Sequence, residues 1–303
     1  SDLASIDTKH IGQGVDALIV AAFSGHEGVV KAILASPQCT EDILKVQDHR
    51  DGFTALMGAS FHGHEGIVKA ILESDKCTKD ILKVQNGDGY TALIVASSHG
   101  HEGVVKAILE SPHCTKEALK VQDQDGFTAL MNASSCGHEG VVKAILESDK
   151  CTEDILKVQG SDDWIGLGFT ALMLASSNGH EGVVKEIVAS PHCTEDILNF
   201  QDQEGYTALI VAILEGEEDI AEMILDHPKA RDMLDAKNTD DKTALELAES
   251  KGLVALAAKL IVKTTMTGGG ESKGKDTTKA KQEARIQLLK KKRSKREEAR
   301  GGK

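Results

Sequence analysis

Apolar residues in this chain come in short stripes of two kinds that alternate along its length. The first kind is small: Ala55, Leu56 and Ala59 follow Thr54. The second is bulkier and falls at helical spacing: Ile67, Val68, Ala70, Ile71 and Leu72. Thr54 suits an N-cap, where a hydroxyl oxygen accepts a bond from a first-turn amide. Gly63, between the stripes, suits a helix end that needs a left-handed residue. The pattern predicts two short helices. Neither reaches the ~12–15 residues at which a helix holds by itself, so each pair must bury its apolar face against another element.

That element is the next copy of the same pattern. Asp51-Gly52-Phe53-Thr54-Ala55-Leu56 recurs at Asp88 and again at Asp125, each time after 37 residues. The series continues with Gly168-Phe169-Thr170-Ala171-Leu172 after a step of 42, and with Gly205-Tyr206-Thr207-Ala208-Leu209 after 37. Degenerate copies stand at each end, Gly14-Val15-Asp16-Ala17-Leu18 and Lys242-Thr243-Ala244-Leu245. A second marker, Gly-His-Glu-Gly, keeps the same beat at Gly25, Gly63, Gly100, Gly137 and Gly179. Seven units are counted, and repetition at this period is the mark of a stacked array. Behind the second helix, Ser36-Pro37 and Ser111-Pro112 stop the helix. Thr40-Glu41-Asp42, Thr152-Glu153-Asp154 and Thr194-Glu195-Asp196 then place a cap before two acids, predicting a short extra helix in each connection. Asp-Gly makes a tight turn into the next pair.

This pattern resembles the ankyrin repeat over residues 14–263. Thr54-Ala55-Leu56-Met57 and its copies match the family's Thr-Pro-Leu-His core, and Gly100-His101 with Val104-Val105-Lys106 match its later markers. Three features depart from the family. The core Pro and His are replaced, the unit is 37 residues long where about 33 is usual, and Gln47, Gln85, Gln122, Gln159 and Gln201 stand for a loop Asn. The extra length is accounted for by the added helical turn. The resemblance implies an all-α, ankyrin-type helical solenoid of about seven helix pairs with short extra helices in the connecting loops. It also implies partner binding through turn tips and the exposed side of the first helices. On this chain the turn tips include His49, Arg50, Gln124, Gln203 and Glu204. The groove positions include Phe61, His62, Ser98, His99, Ser135, Cys136, Ser177, Asn178, Leu214 and Glu215, which vary between copies while their neighbours stay fixed.

Aromatics are scarce at 3% of residues, and most precede the core Thr: Phe53, Tyr90, Phe127, Phe169 and Tyr206. They are candidates for packing on the adjacent turn or for a binding stripe, since aromatics dominate interface hot spots. The lengthened step contains Gly160 to Gly168, with the chain's one tryptophan, Trp164, beside Ile165 and Leu167. The resemblance makes this a turn finger, and an exposed apolar triplet there points to a partner anchor supported by Phe127 and Phe169.

Charge divides the chain. The segment from Thr264 to Lys303 holds 13 of the 35 Lys and Arg and 5 of the 48 Asp and Glu, a net +8 within a chain of −13. The body is therefore strongly acidic, which argues against its touching nucleic-acid phosphates. Gly268-Gly269-Gly270 reads as a linker. Lys290, Lys291, Lys292, Arg293, Lys295 and Arg296 resemble a nuclear localisation signal and are candidates for an electrostatic contact, nucleic acid included. No apolar run approaches the ~18–20 residues that span a bilayer, and Ser1 to His10 lack the pattern of a signal peptide.

Catalytic and metal chemistry find little support. Gly12-Gln13-Gly14-Val15-Asp16-Ala17 fits a loose dinucleotide fingerprint, but no strand precedes it, and a turn before the first helix is expected. His62-Gly63-His64 and His99-Gly100-His101 hint at metal, yet His64 and His101 fill a place that is His in five units and read as turn residues. Cys39, Cys77, Cys114, Cys151 and Cys193 are also in phase. At the ~8–10 Å spacing of packed helices they are too far apart for disulfides and are expected buried and reduced. Cys136, at a groove position, is expected accessible. No triad or carboxylate pair stands out.

The expected organisation is a lead-in or partial repeat at 1–13, the array at 14–263, and a linker with basic tail at 264–303. The expected function is a monomeric, intracellular protein-interaction scaffold, cytoplasmic or nuclear, with no cofactor and no enzymatic activity. The alternative is a targeting or substrate-recruiting region of a larger signalling or ubiquitin-ligase-type protein. The absence of an initial Met fits a fragment or a processed product.

Overall fold

The computed structural model describes residues 11–161, 168–230 and 232–267. Its contacts divide the chain into two compact units, 1–164 and 165–303. The division falls inside the segment where the 37-residue step lengthens to 42.

Unit one holds four helix pairs. They are α1 (Ile11–Phe23) with α2 (Glu27–Leu34), α4 (Ala55–Phe61) with α5 (Glu65–Leu72), α6 (Ala92–Ser98) with α7 (Glu102–Glu110), and α9 (Ala129–Cys136) with α10 (Glu139–Glu147). The connections carry α3 (Glu41–Lys45), a 3-10 turn at Ile81–Lys83, and α8 (Lys116–Leu119); α11 (Glu153–Leu156) follows the last pair. First helices stack on first helices, α1 on α4 on α6 on α9, and second on second, α2 on α5 on α7 on α10.

Unit two repeats the plan with three pairs, α12 (Ala171–Ser177) with α13 (Glu181–Ala189), α15 (Ala208–Glu215) with α16 (Glu218–Asp226), and α17 (Ala244–Lys251) with α18 (Val254–Thr267). Between them lie α14 (Glu195–Asn199) and a 3-10 turn at Asp232–Asp235. The described residues contain no strand, only an isolated bridge between Lys237 and Thr243. The all-α fold with seven pairs and short helical turns between them is as the repeat pattern predicts.

The local causes are those the sequence names. The Met57 N–H donates to Thr54 Oγ1 at 3.2 Å, and the same cap recurs at Thr91, Thr128, Thr170, Thr207 and Thr243. Gly63 follows α4 at φ +71°, the left-handed conformation that reverses the chain into α5. Ala55, Leu56 and Ala59 are buried on α4, as are Ile67, Val68, Ile71 and Leu72 on α5. The five in-phase cysteines are buried free thiols. In the sixth repeat Ala230, also buried, takes their place.

One expectation fails at the start of the chain. Helix α1 begins at Ile11, so Gly12 to Asp16 are helical and form no turn. The first repeat lacks the Phe-Thr cap that starts the later first helices, so nothing in its sequence halts the helix at that point. At the other end α18 runs to Thr267, four residues beyond the boundary at 263.

Candidate functional site

The first three repeats enclose a concavity of about 710 Å³ in unit one. Its walls come from α1, α4 and α6 and from the turns that precede α4 and α6. Three repeated devices hold these walls in place.

The first is a histidine clamp. His64 Nε2 lies 3.1 Å from the Phe23 carbonyl oxygen, His101 Nε2 2.8 Å from that of Phe61, and His138 Nε2 3.0 Å from that of Ser98. Each ring reaches back one repeat and satisfies a carbonyl at the end of a first helix, where acceptors lack an intrahelical donor. The second is a glutamine ladder. Gln85 Nε2 donates to the Gly89 carbonyl at 2.6 Å and to the Gln122 carbonyl of the next repeat at 2.9 Å. Gln47, Gln122 and Gln201 do the same in their own repeats. The third is a side-chain turn. Asn86 Oδ1 accepts from the Asp88 amide at 3.1 Å and from the Tyr90 amide at 2.7 Å, shaping the turn that presents Tyr90. Asp48, Asp123 and Asp202 play that part elsewhere.

Within this frame the aromatic side chains meet. Phe23 stacks on Phe61 with ring centroids 6.0 Å apart, and Phe53 meets Phe61 edge-on at 5.9 Å. His62 packs edge-on against Phe23 at 4.3 Å, and His99 lies 4.3 Å from Phe61. Gly58 makes room for this cluster, since a Cβ there would lie 3.1 Å from the Phe23 ring. The surface stays open to solvent: Phe23 is 42% exposed and its neighbour Val20 60%.

Asp48, Asp51 and Asp88 contribute carboxylates to the lining, against the single guanidinium of Arg50. Partial burial, together with the nearby His64, His101 and His99, lowers the pKa of His62 and favours its neutral form. Burial raises that of the Tyr90 phenol, with Asp123, Asp125 and Asp88 adding to it.

Arg50, Phe53, Phe61, Tyr90 and His99 therefore come together in one lining, with His62 packed beside it. Gln124 is an exposed turn tip whose Nε2 donates to the Gly87 carbonyl. Cys136 is exposed at the end of α9, outside the lining, with its thiol pKa pushed up by partial burial of the sulfur; Asn178 is exposed at the end of α12 in unit two. Phe127 and Phe169 are a correction. Each is only 7% exposed, so they serve as packing and present no binding area. Near Phe127 the cause is visible. Gly160 stands where residues 48, 86 and 123 are Asp or Asn, and a Cβ at 160 would overlap the Phe127 ring. Trp164, Ile165 and the tail residues Lys290, Lys291, Lys292, Arg293, Lys295 and Arg296 lie outside the described residues. The groove positions traced from the sequence began at Phe61, so Phe23 and Val20 were missed. Phe23 stands two residues before Gly25, in phase with Phe61 two before Gly63, and that phase was the available signal.

No group of His, Cys, Asp and Glu among the described residues is arranged to hold a metal ion. No described helix is long and apolar enough to cross a membrane. The arrangement is that of a stacked helix-pair scaffold, a fold that typically binds other proteins and performs no chemistry.

The model for ankyrin repeats in three copies matches residues 3–81, 77–157, 153–233 and 172–267, and the chain belongs to the ankyrin repeat family. Among solved structures it is similar to the ankyrin repeat domain of Bcl-3, described as a unique member of the IkappaB protein family. That match has a TM-score of 0.63 at 19% identity and covers 80% of this chain and 97% of that one. At that identity the likeness shows the fold alone. A search of curated protein sequences finds no match.

Proposed function

We propose that this chain is a non-enzymatic interaction scaffold that grips a protein partner through the concavity of its first three repeats. The observation that carries this is the cluster of exposed Val20 and Phe23 with half-buried Phe61 inside a walled recess. In the later repeats the place of Phe61 is taken by Ser98, Ser135 and Ser177, so the aromatic is not what the fold requires there. Phe61→Ser tests the proposal. Affinity capture with the full chain and with this variant should yield a partner that only the wild type retains, with equal helical content by circular dichroism. Partners shared by both proteins would sink the reading.

The lengthened segment bearing Trp164 and Ile165 is proposed as a second contact. Trp164→Ala should weaken partner binding by about 2 kcal/mol without moving the unfolding midpoint. A large fall in stability with affinity intact would make the tryptophan a structural plug. The basic stretch Lys290 to Arg296 is proposed to direct nuclear localisation, which its neutralisation should abolish; unchanged distribution would leave it a solubilising end.

A further inference from the structure

The concavity contains one polar side chain that the fold leaves half used. Asn86 is 7% exposed and lines the recess. Its Oδ1 accepts two turn amides, but its buried Nδ2 finds no acceptor among the described residues. The contrast with the next repeat is direct. There Asp123 holds the same place, and its second oxygen accepts from Asn132 Nδ2 at 2.8 Å. In repeat three the residue in phase with Asn132 is Val95, which has nothing to offer an amide and which also lines the recess. An unmet buried donor costs free energy comparable to a lost hydrogen bond, and a ligand acceptor that reaches it recovers that cost.

The rim adds charge. Asp51 and Asp88 are exposed tips of successive turns, both line the recess, and neither is paired with a cation among the described residues. The same lining holds the apolar side chains of Val20, Phe23 and Phe61, with Val95 buried behind them. Resting on the reading of this recess as the partner-binding face, we propose that its ligand is an extended peptide segment carrying a large apolar side chain next to a lysine or arginine. The apolar side chain rests on Phe23 and Phe61 and the cation lies at Asp51 and Asp88; Asn86 Nδ2, covered in the free chain, donates to a main-chain carbonyl of the peptide once the turn that carries it shifts. Three carboxylates in the lining against one guanidinium disfavour an acidic segment.

The test uses the full chain, immobilised, to select from random short peptides displayed on phage. Selected peptides are then measured in solution against variants. They should carry a large apolar residue adjacent to Lys or Arg. Asn86→Asp keeps the turn acceptor, as Asp48, Asp123 and Asp202 show, but removes the donor and adds a negative charge. Because the added charge also attracts the peptide's cation, this comparison uses selected peptides with that Lys or Arg replaced by glutamine, whose binding should weaken about tenfold. Asp51→Asn with Asp88→Asn should weaken it a few-fold and flatten its salt dependence. Equal or tighter binding to Asn86→Asp overturns the proposed donor. Selected peptides without basic residues, or no selected peptides at all, overturn the proposed ligand. Tighter binding to Asn86→Asp, or selection of peptides without basic residues, leaves the interaction face standing if Phe61→Ser abolishes binding of the selected peptides. Peptides that bind Phe61→Ser unchanged would instead remove the recess itself as the binding face.

Discussion

Replacing Gly63 by alanine isolates what the end of a first helix contributes. Gly63 has φ +71°, and a Cβ built there would lie 2.7 Å from His101 Nδ1. Two costs follow. The left-handed backbone of a non-glycine residue costs roughly 1–2 kcal/mol. Displacing the His101 ring forfeits its bond to the Phe61 carbonyl, worth about 1 kcal/mol. The reduced freedom of the unfolded alanine chain offsets roughly 0.5 kcal/mol, leaving a net loss of about 2 kcal/mol. Two controls separate the causes. Gly216 has φ +87° but nothing within 4 Å of an added Cβ, so Gly216→Ala should cost only the backbone part, about 1 kcal/mol. Gly28 lies within α2, also with nothing within 4 Å, and Gly28→Ala should stabilise by up to about 1 kcal/mol through helix propensity. Urea unfolding ranks the three. Hydrogen exchange on Gly63→Ala should show loss of protection concentrated in α4 to α7, because repeat contacts are nearest-neighbour. If Gly63→Ala proves no costlier than Gly216→Ala, or its exchange loss is spread evenly over both units, the clamp contributes nothing and the reasoning fails.

Burial pushes the thiols of Cys77, Cys114, Cys151 and Cys193 up to about 11 from an ordinary 9.0. A folded value above the unfolded one gives stability that is full below the unfolded value and lost as pH rises. The urea midpoint should therefore fall between pH 9 and 11. Alanine at the four positions, as at Ala230, should flatten that fall; an unchanged slope would assign it to other groups. Mild alkylation of the native chain should label Cys136 well before the five buried cysteines, as mass spectrometry of the digest would show, and equal labelling would contradict their burial. Gln85→Ala removes bonds to Gly89 and to Gln122 and should cost about 1 kcal/mol, read by urea denaturation, with Gln38→Ala, outside the ladder, as a neutral control.

Most of the fold was legible because each repeat states its own boundaries. Thr54 starts a helix, Gly63 ends its turn, and copies elsewhere confirm both. The misread start at Ile11 fell where the copy is degenerate and these signals are missing. The site was legible in part. Phe61 and His99 betrayed themselves by differing from Ser98 and Cys136 at matched positions. Phase alone could not separate Phe53, half-buried in the groove lining, from Phe127, buried over Gly160, because the difference lies in the neighbouring repeat's residue. The histidine marker was visible as a beat, but its bond to a carbonyl about one repeat earlier appears only once the helices are stacked. Asn86 was hidden for a different reason: its unused amide depends on Val95 standing, within the same repeat, where the next repeat has Asn132.

Helices α7 and α10 are identical in all nine residues, Glu-Gly-Val-Val-Lys-Ala-Ile-Leu-Glu, and each is preceded by the same Gly-His. Such sameness levels the energy landscape. The second helices therefore contribute nearly equally to the middle interfaces, which favours no single obligatory nucleus. Folding of the first unit should run by several parallel routes that differ in starting point, and a substitution in one middle repeat should redirect the flux among them more than it slows the total rate.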